Sequence, residues 1–190
     1  MTREKIPFLT GERVYMRPLE LGDCEGPYLD WFNDEEVCRG NRHHTFPYTP
    51  EKAREYVKMT RTSDEELVLA IVEKARDAHI GNIALQQIHP VYRSAEFSIV
   101  IGAKEAWGKG YGSEAGALLL DHGFSRLNLH RVGCGTFATN TAMQGLALSL
   151  GMKEEGRRRD AAFVAGKYVD VIEYGVLRDE YEKFRAGKKR

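Results

Sequence analysis

The sequence predicts a mixed α/β (α+β) domain of three α/β/α layers around one central, mostly antiparallel sheet of about seven strands. Three observations predict it. Period-two apolar segments separated by polar turns recur up to residue 101, an amphipathic helix starts at the glycine turn WGKGYG directly after one of them, and strand and helix then alternate before a closing hairpin. With 190 residues, 42% of them hydrophobic, the chain is long enough for one good core, so residues 1–190 are expected to be a single domain.

Taken in order, Glu12 to Leu19 (ERVYMRPL) alternates Val14 and Met16 with Arg13, Tyr15 and Arg17, a half-exposed strand that Pro18 ends. Asp23 to Phe32 carries Tyr28, Leu29, Trp31 and Phe32 at helical spacing, and Thr49-Pro50-Glu51 opens a second helix with a cap, a first-turn proline and an acid. Between them, Asn33 to Tyr48 is rich in turn formers and aromatic or imidazole groups, and is too long for an ordinary connection. That marks a substrate loop. Leu67 to Glu73 and His79 to Ile88 form a hairpin about Lys74 to Ala78, with the strand Glu96 to Ile101 as its neighbour. After the glycine turn and its helix come a short strand, His130 to Phe137, and a helix capped by Asn140 and stopped by Gly151. Met152 to Arg159 and Lys167 to Leu177 close the sheet before a charged tail ending GKKR.

Lys plus Arg (28) balances Asp plus Glu (28), so overall charge argues for neither a nucleic-acid nor a membrane partner. The opening MTREKIPFLTGERV lacks the apolar core of a signal peptide, and no apolar run approaches the ~18 residues of a membrane span, which implies a cytoplasmic protein. Cys24, Cys38 and Cys134 are widely spaced and show no metal-ligand pattern, so they read as free buried thiols with no metal site.

Chemistry concentrates between Ala95 and Arg126. Gly108, Gly110 and Gly112 let the backbone turn tightly, while Ser113 and Glu114 suit a helix N-terminus. Such a turn aims N–H groups without intrahelical partners, and the positive end of the helix dipole, at one point. It is an anion cradle. Neither GxxxxGK[ST] nor GxGxxG is present, which excludes the usual ATPase and dinucleotide loops.

The strand AEFSIVIG followed by WGKGYG, then FSRLNLHRVGC, then Asn140 heading a helix that ends in LGM, resembles the GNAT (Gcn5-related) N-acetyltransferases. It most resembles the branch of ribosomal-protein N-terminal and spermidine acetyltransferases, over roughly Gly11 to Glu182. The resemblance implies acetyl-CoA as co-substrate. Its pyrophosphate would lie on the turn formed by Trp107, Gly108, Lys109, Gly110, Tyr111, Gly112 and Ser113, and its pantetheine beside Val100, Ile101 and Asn140. Trp107 stands where the family usually has Gln or Arg. Ala147 occupies the place of the tyrosine that protonates the departing thiolate in many members, and Met143 that of a serine in some. A CoA thiol titrates within a unit or two of a free cysteine's value, about 8.5, so water can supply that proton.

Glu96 is the first choice for the general base that deprotonates the amine, with His43 and His44 as runners-up. For the acceptor, seven acidic residues and no basic one lie between Glu20 and Val37, and Trp31 and Asn33, with Phe46 and Tyr48, could line its pocket. The expected acceptor is a protein or peptide N-terminal amine. Its alternatives are a small amine (polyamine, aminoglycoside or amino sugar) and a module that binds acyl-CoA without turnover. A spare sheet edge would also permit a homodimer.

Overall fold

The computed structural model describes residues 6–188. Met1 to Lys5, and Lys189-Arg190 of the charged tail, lie outside the described residues. One eight-stranded sheet runs through the molecule in the order β1-β2-β3-β4-β5-β6-β8-β7. Its strands are β1 (Leu9–Thr10), β2 (Val14–Pro18), β3 (Leu67–Glu73), β4 (Ala78–His89), β5 (Ser94–Ile101), β6 (Arg131–Phe137), β7 (Lys153–Val164) and β8 (Lys167–Leu177). Every pairing is antiparallel except β5 with β6. The strand beyond the expected seven is β1, two residues long and too short to show a period.

Helices cover both faces: α1 (Tyr28–Trp31), α2 (Glu35–Cys38) and α3 (Pro50–Thr60) on one, α4 (Tyr111–Ser125), α5 (Thr141–Ser149) and α6 (Arg178–Lys188) on the other. The helix expected over Asp23 to Phe32 is broken into a 3-10 turn, Leu21–Glu25, and α1. Gly26-Pro27 causes the break, because the residue before a proline is driven out of the helical region and Gly26 is extended, with φ −106° and ψ −163°. Within the expected loop, Asp34 nucleates α2 by accepting from the N–H groups of Glu36 and Val37. The tail folds as α6, where Tyr181 is buried against α4 with its hydroxyl 3.0 Å from Asp121 Oδ1. β7 outruns its expected end at Arg159 because a register shift between Arg158 and Ala162 absorbs the polar stretch.

The alternation of β5 assigns its side chains to two cores. Phe97, Ile99 and Ile101 pack towards α4 with Leu119, Leu120, Val132 and Ala147, whereas Val100 packs with Tyr28, Trp31, Phe32, Val57 and Ala84 on the opposite face. A fully buried side chain of this size contributes about 1.5–3 kcal/mol. With both faces anchored, the one parallel pairing is held at a fixed place in the sheet.

Candidate active site

That pairing is short. β5 and β6 match only at Ser94 with Arg131, Ala95 with Val132 and Glu96 with Gly133. Beyond Glu96 each strand follows its other neighbour, β5 staying on β4 to Ile101 and β6 on β8 to Phe137, so a wedge opens between them. A cavity of about 1440 Å³ occupies this wedge and reaches α1, α2 and α3, with Glu96, Val100, Ile101, Gly133, Thr136 and Asn140 on its walls.

The glycine turn stands at the open end. Gly108 and Gly110 adopt φ of 70° and 80°, the left-handed region in which a side chain is strained. Gly110 is the N-cap of α4, and the first intrahelical bond runs from Glu114 N–H to the Gly110 carbonyl, leaving the N–H groups of Tyr111, Gly112 and Ser113 ahead of the ladder. Arg13, immediately before β2, was not anticipated from the sequence. Its Nη1 donates to the Lys109 carbonyl at 2.8 Å, its Nε to Glu114 Oε2 at 2.9 Å, and its guanidinium lies over the Tyr111 ring at 5.3 Å. Glu114 also accepts from the Arg13 backbone N–H at 2.8 Å. Burial raises the Glu114 carboxyl, but these donors outweigh it and hold it below its ordinary value. The Tyr111 hydroxyl donates to Glu73, which is ion-paired with Arg76. The turn is therefore clamped to the sheet on two sides, by the Arg13–Glu114 pair and by Tyr111 on Glu73.

Of the expected donor-site residues, Val100, Ile101, Trp107, Gly108, Gly110, Tyr111, Gly112, Ser113 and Asn140 line the cavity. Trp107 also donates its indole N–H to the Ile101 carbonyl at 2.7 Å, which closes the segment leading into the turn. Lys109 does not line the cavity and serves the turn through its carbonyl. The Asn140 amide makes two bonds, Oδ1 accepting from Met143 N–H at 3.1 Å and Nδ2 donating to the Gly40 carbonyl at 3.0 Å, and keeps a second N–H and lone pair.

Glu96 sits at the apex of the wedge, half-buried, accepting from the Gln87 amide at 3.2 Å and making no ion pair with Arg93. Its face of the sheet carries Ser98, Gln86 and Asn82, and the aromatic rings of Tyr28, Phe32, Tyr48 and Tyr56 line the same cavity. Trp31 and Asn33, expected in the acceptor pocket, do not line it. Trp31 is buried against Gly102, where an added Cβ would come within 1.9 Å of the indole. Asn33 clasps its loop shut, accepting from Tyr48 N–H at 2.9 Å and donating to the Tyr48 carbonyl at 2.8 Å. His43 does reach the cavity, with its ring 4.4 Å from that of Phe32; desolvation and then the charge of Arg42 lower its pKa. His44 is an exposed loop residue at φ 64°.

Ala147 is fully buried and Met143 lines the cavity, so neither place holds a proton donor. Cys134 also lines the cavity; its buried thiol lies 3.6 Å from the Met152 sulfur, and burial pushes its pKa up to about 12. The three cysteines are free and buried, as their spacing suggests.

A model of the GNAT acetyltransferase domain matches residues 13–153. The chain is 31% identical to an uncharacterised N-acetyltransferase, p20, of Bacillus licheniformis, covering 90% of this chain and 96% of that one. It is 32% identical to the spermidine N(1)-acetyltransferase of Escherichia coli K12, covering 88% of each. Among solved structures, the spermidine N-acetyltransferase of Vibrio cholerae in complex with CoA and spermine superposes with a TM-score of 0.81 at 26% identity, over 90% of this chain and 98% of that one. The clamped glycine turn, the wedge behind it and these relatives agree: the chain belongs to the GNAT family and is an acetyl-CoA-dependent N-acetyltransferase.

Proposed function

We propose that the acceptor is a small aliphatic amine of the polyamine class, deprotonated by Glu96 and acetylated at the apex of the wedge. The observation that carries this reading is the Glu96 carboxylate itself, which faces the cavity with an amide as its partner. Elsewhere on the cavity wall Arg131 pairs with Glu155 and Arg158 with Glu173, so those charges offset one another. The tyrosine and phenylalanine rings facing Glu96's side supply surfaces on which a cationic chain can lie. The spermidine acetyltransferases among the relatives support the same class.

In this reading the cradle takes the pyrophosphate, the unpaired edge of β5 beyond Glu96 takes the pantetheine, and Glu96 receives the ammonium proton directly or through one water. Attack of the free amine on the thioester carbonyl gives a tetrahedral adduct that expels CoA thiolate as the nitrogen sheds its second proton to water, and water returns a proton to the thiolate because Ala147 offers no acid.

A peptide N-terminal amine is the second reading. It is favoured by β7, an exposed edge strand whose Arg158, Ala161 and Ala162 reach the cavity rim and could pair with an extended chain. Thiol release from acetyl-CoA, measured against polyamines, amino sugars, aminoglycosides and short peptides, separates the two. Release stimulated by polyamines above the rest supports the proposal. Release stimulated by peptides alone overturns it.

A further inference from the structure

Gln87 departs from the ordinary course of β4. The strand pairs with β5 in register up to Gln86 with Glu96 and resumes at His89 with Ser94, so Gln87 and Ile88 together face Ala95 alone, a β-bulge. Gln87 takes a left-handed φ of 52°, a conformation that such bulges favour glycine for. Leu85 packs towards α4, so strict alternation would send Gln87 to the α4 face and Ile88 to the face of Glu96. The extra residue reverses this. Ile88 packs with the α4-side core and gives its backbone N–H to the Glu65 carbonyl at 2.9 Å, while Gln86 and Gln87 both line the cavity with Glu96. Gln86, although opposite Glu96 in register, has its Oε1 taken by the Ser98 hydroxyl at 2.9 Å. Gln87 Nε2 instead donates to Glu96 Oε2 at 3.2 Å, and Glu96 Oε1 has no partner among the described residues.

We propose that Gln87 is a positioning residue for Glu96: its amide holds Oε2 and so turns the carboxylate that Oε1 is left for the ammonium proton. The inference rests on the reading of Glu96 as the general base. Glycine would relieve the left-handed strain at this place but carries no amide. Stability and turnover therefore make opposite demands on position 87.

Gln87→Gly and Gln87→Met, the second of nearly the same length, both remove the donor. Thiol release from acetyl-CoA is measured with the most active amine of the panel above, alongside calorimetric titration with CoA and thermal unfolding. Loss of the bond should lower kcat about fivefold in each variant, with the acceptor KM and the CoA Kd within about twofold of the parent. Gln87→Gly should melt no lower than the parent. In a Glu96→Gln background neither substitution should slow release further. A parental kcat in Gln87→Gly overturns the proposal by showing that position 87 serves only the bulge. A raised acceptor KM at parental kcat overturns it too, since Gln87 would then be an acceptor contact, as does a fivefold loss that persists in the Glu96→Gln background. Parental turnover in Glu96→Gln alone, or no turnover of any amine by the parent, defeats the base reading and this inference with it. A slow Glu96→Gln beside parental Gln87 variants defeats the inference alone.

Discussion

At Gly110 the backbone φ of 80° strains any side chain, and a Cβ would stand 3.3 Å from the end of the Arg13 side chain, which would have to give way slightly. Gly110→Ala is expected to cost about 1–2 kcal/mol of backbone strain and to intrude on the mouth of the cradle, weakening CoA by roughly tenfold. Calorimetry checks it, and parental affinity would count against the cradle. Glu96 calls for a different readout. Glu96→Gln should lower acyl transfer by about 10²-fold while sparing CoA affinity, and should remove the lower limb of the pH–rate profile. If the profile keeps that limb, another group is the base. His43, already on the cavity wall with a depressed pKa, is the next to substitute. Ala147 has no accessible surface, so restoring a tyrosine there overfills the core instead of supplying an acid. Ala147→Tyr should cost about 1–3 kcal/mol, seen as a melting temperature lower by several degrees, with no gain in rate.

Elements were legible where local chemistry decides them and obscure where distant partners do. Thr49-Pro50-Glu51 begins α3, and Asn140 begins α5, because a cap needs only the next few residues. The split at Gly26-Pro27 is equally local, but the aromatic spacing on either side of it has the period of one continuous helix. Arg13 was not legible: nothing in ERVYMRPL says that its guanidinium meets Lys109 and Glu114 across about a hundred residues. The same holds for Arg17 and Asp23, a buried pair at 2.7 Å joining β2 to the 3-10 turn. Burial by itself raises the Asp23 carboxyl, yet hydrogen bonds from Arg17, His79 and the Glu20 N–H outweigh it and hold it well below the ordinary range. A carboxyl depressed in the folded state contributes stability above its unfolded value, about 3.9, and loses it as pH falls further towards the folded one. Asp23→Asn should therefore cost about 3–5 kcal/mol at pH 7, where it strands a buried Arg17, and that deficit should shrink below about pH 4. Thermal unfolding from pH 7 to 3 checks this; a deficit independent of pH would show that the ion pair is not its source.

For the whole molecule, the order of strands and helices foretold the layers, because each apolar face must be covered by its neighbours in sequence. The wedge was harder to read. It exists because β5 and β6 share only three residue pairs before their antiparallel partners draw them apart, a consequence of the sheet that no single segment encodes. Family resemblance supplied the donor's place there, and most of the residues assigned to it do line one cavity. Trp31 and Asn33 look like pocket residues by type but are spent on the core and the loop clasp, while Tyr28 and Tyr56 sit on the cavity wall. In the proposed reaction, donor and acceptor meet at the fork of β5 and β6. A crystal structure with CoA tests it most directly. The account predicts the pyrophosphate on the N–H groups of Gly110 to Ser113 and the thiol at the Glu96–Gly133 end of the wedge. A CoA bound elsewhere, or with its thiol turned away from Glu96, would contradict it.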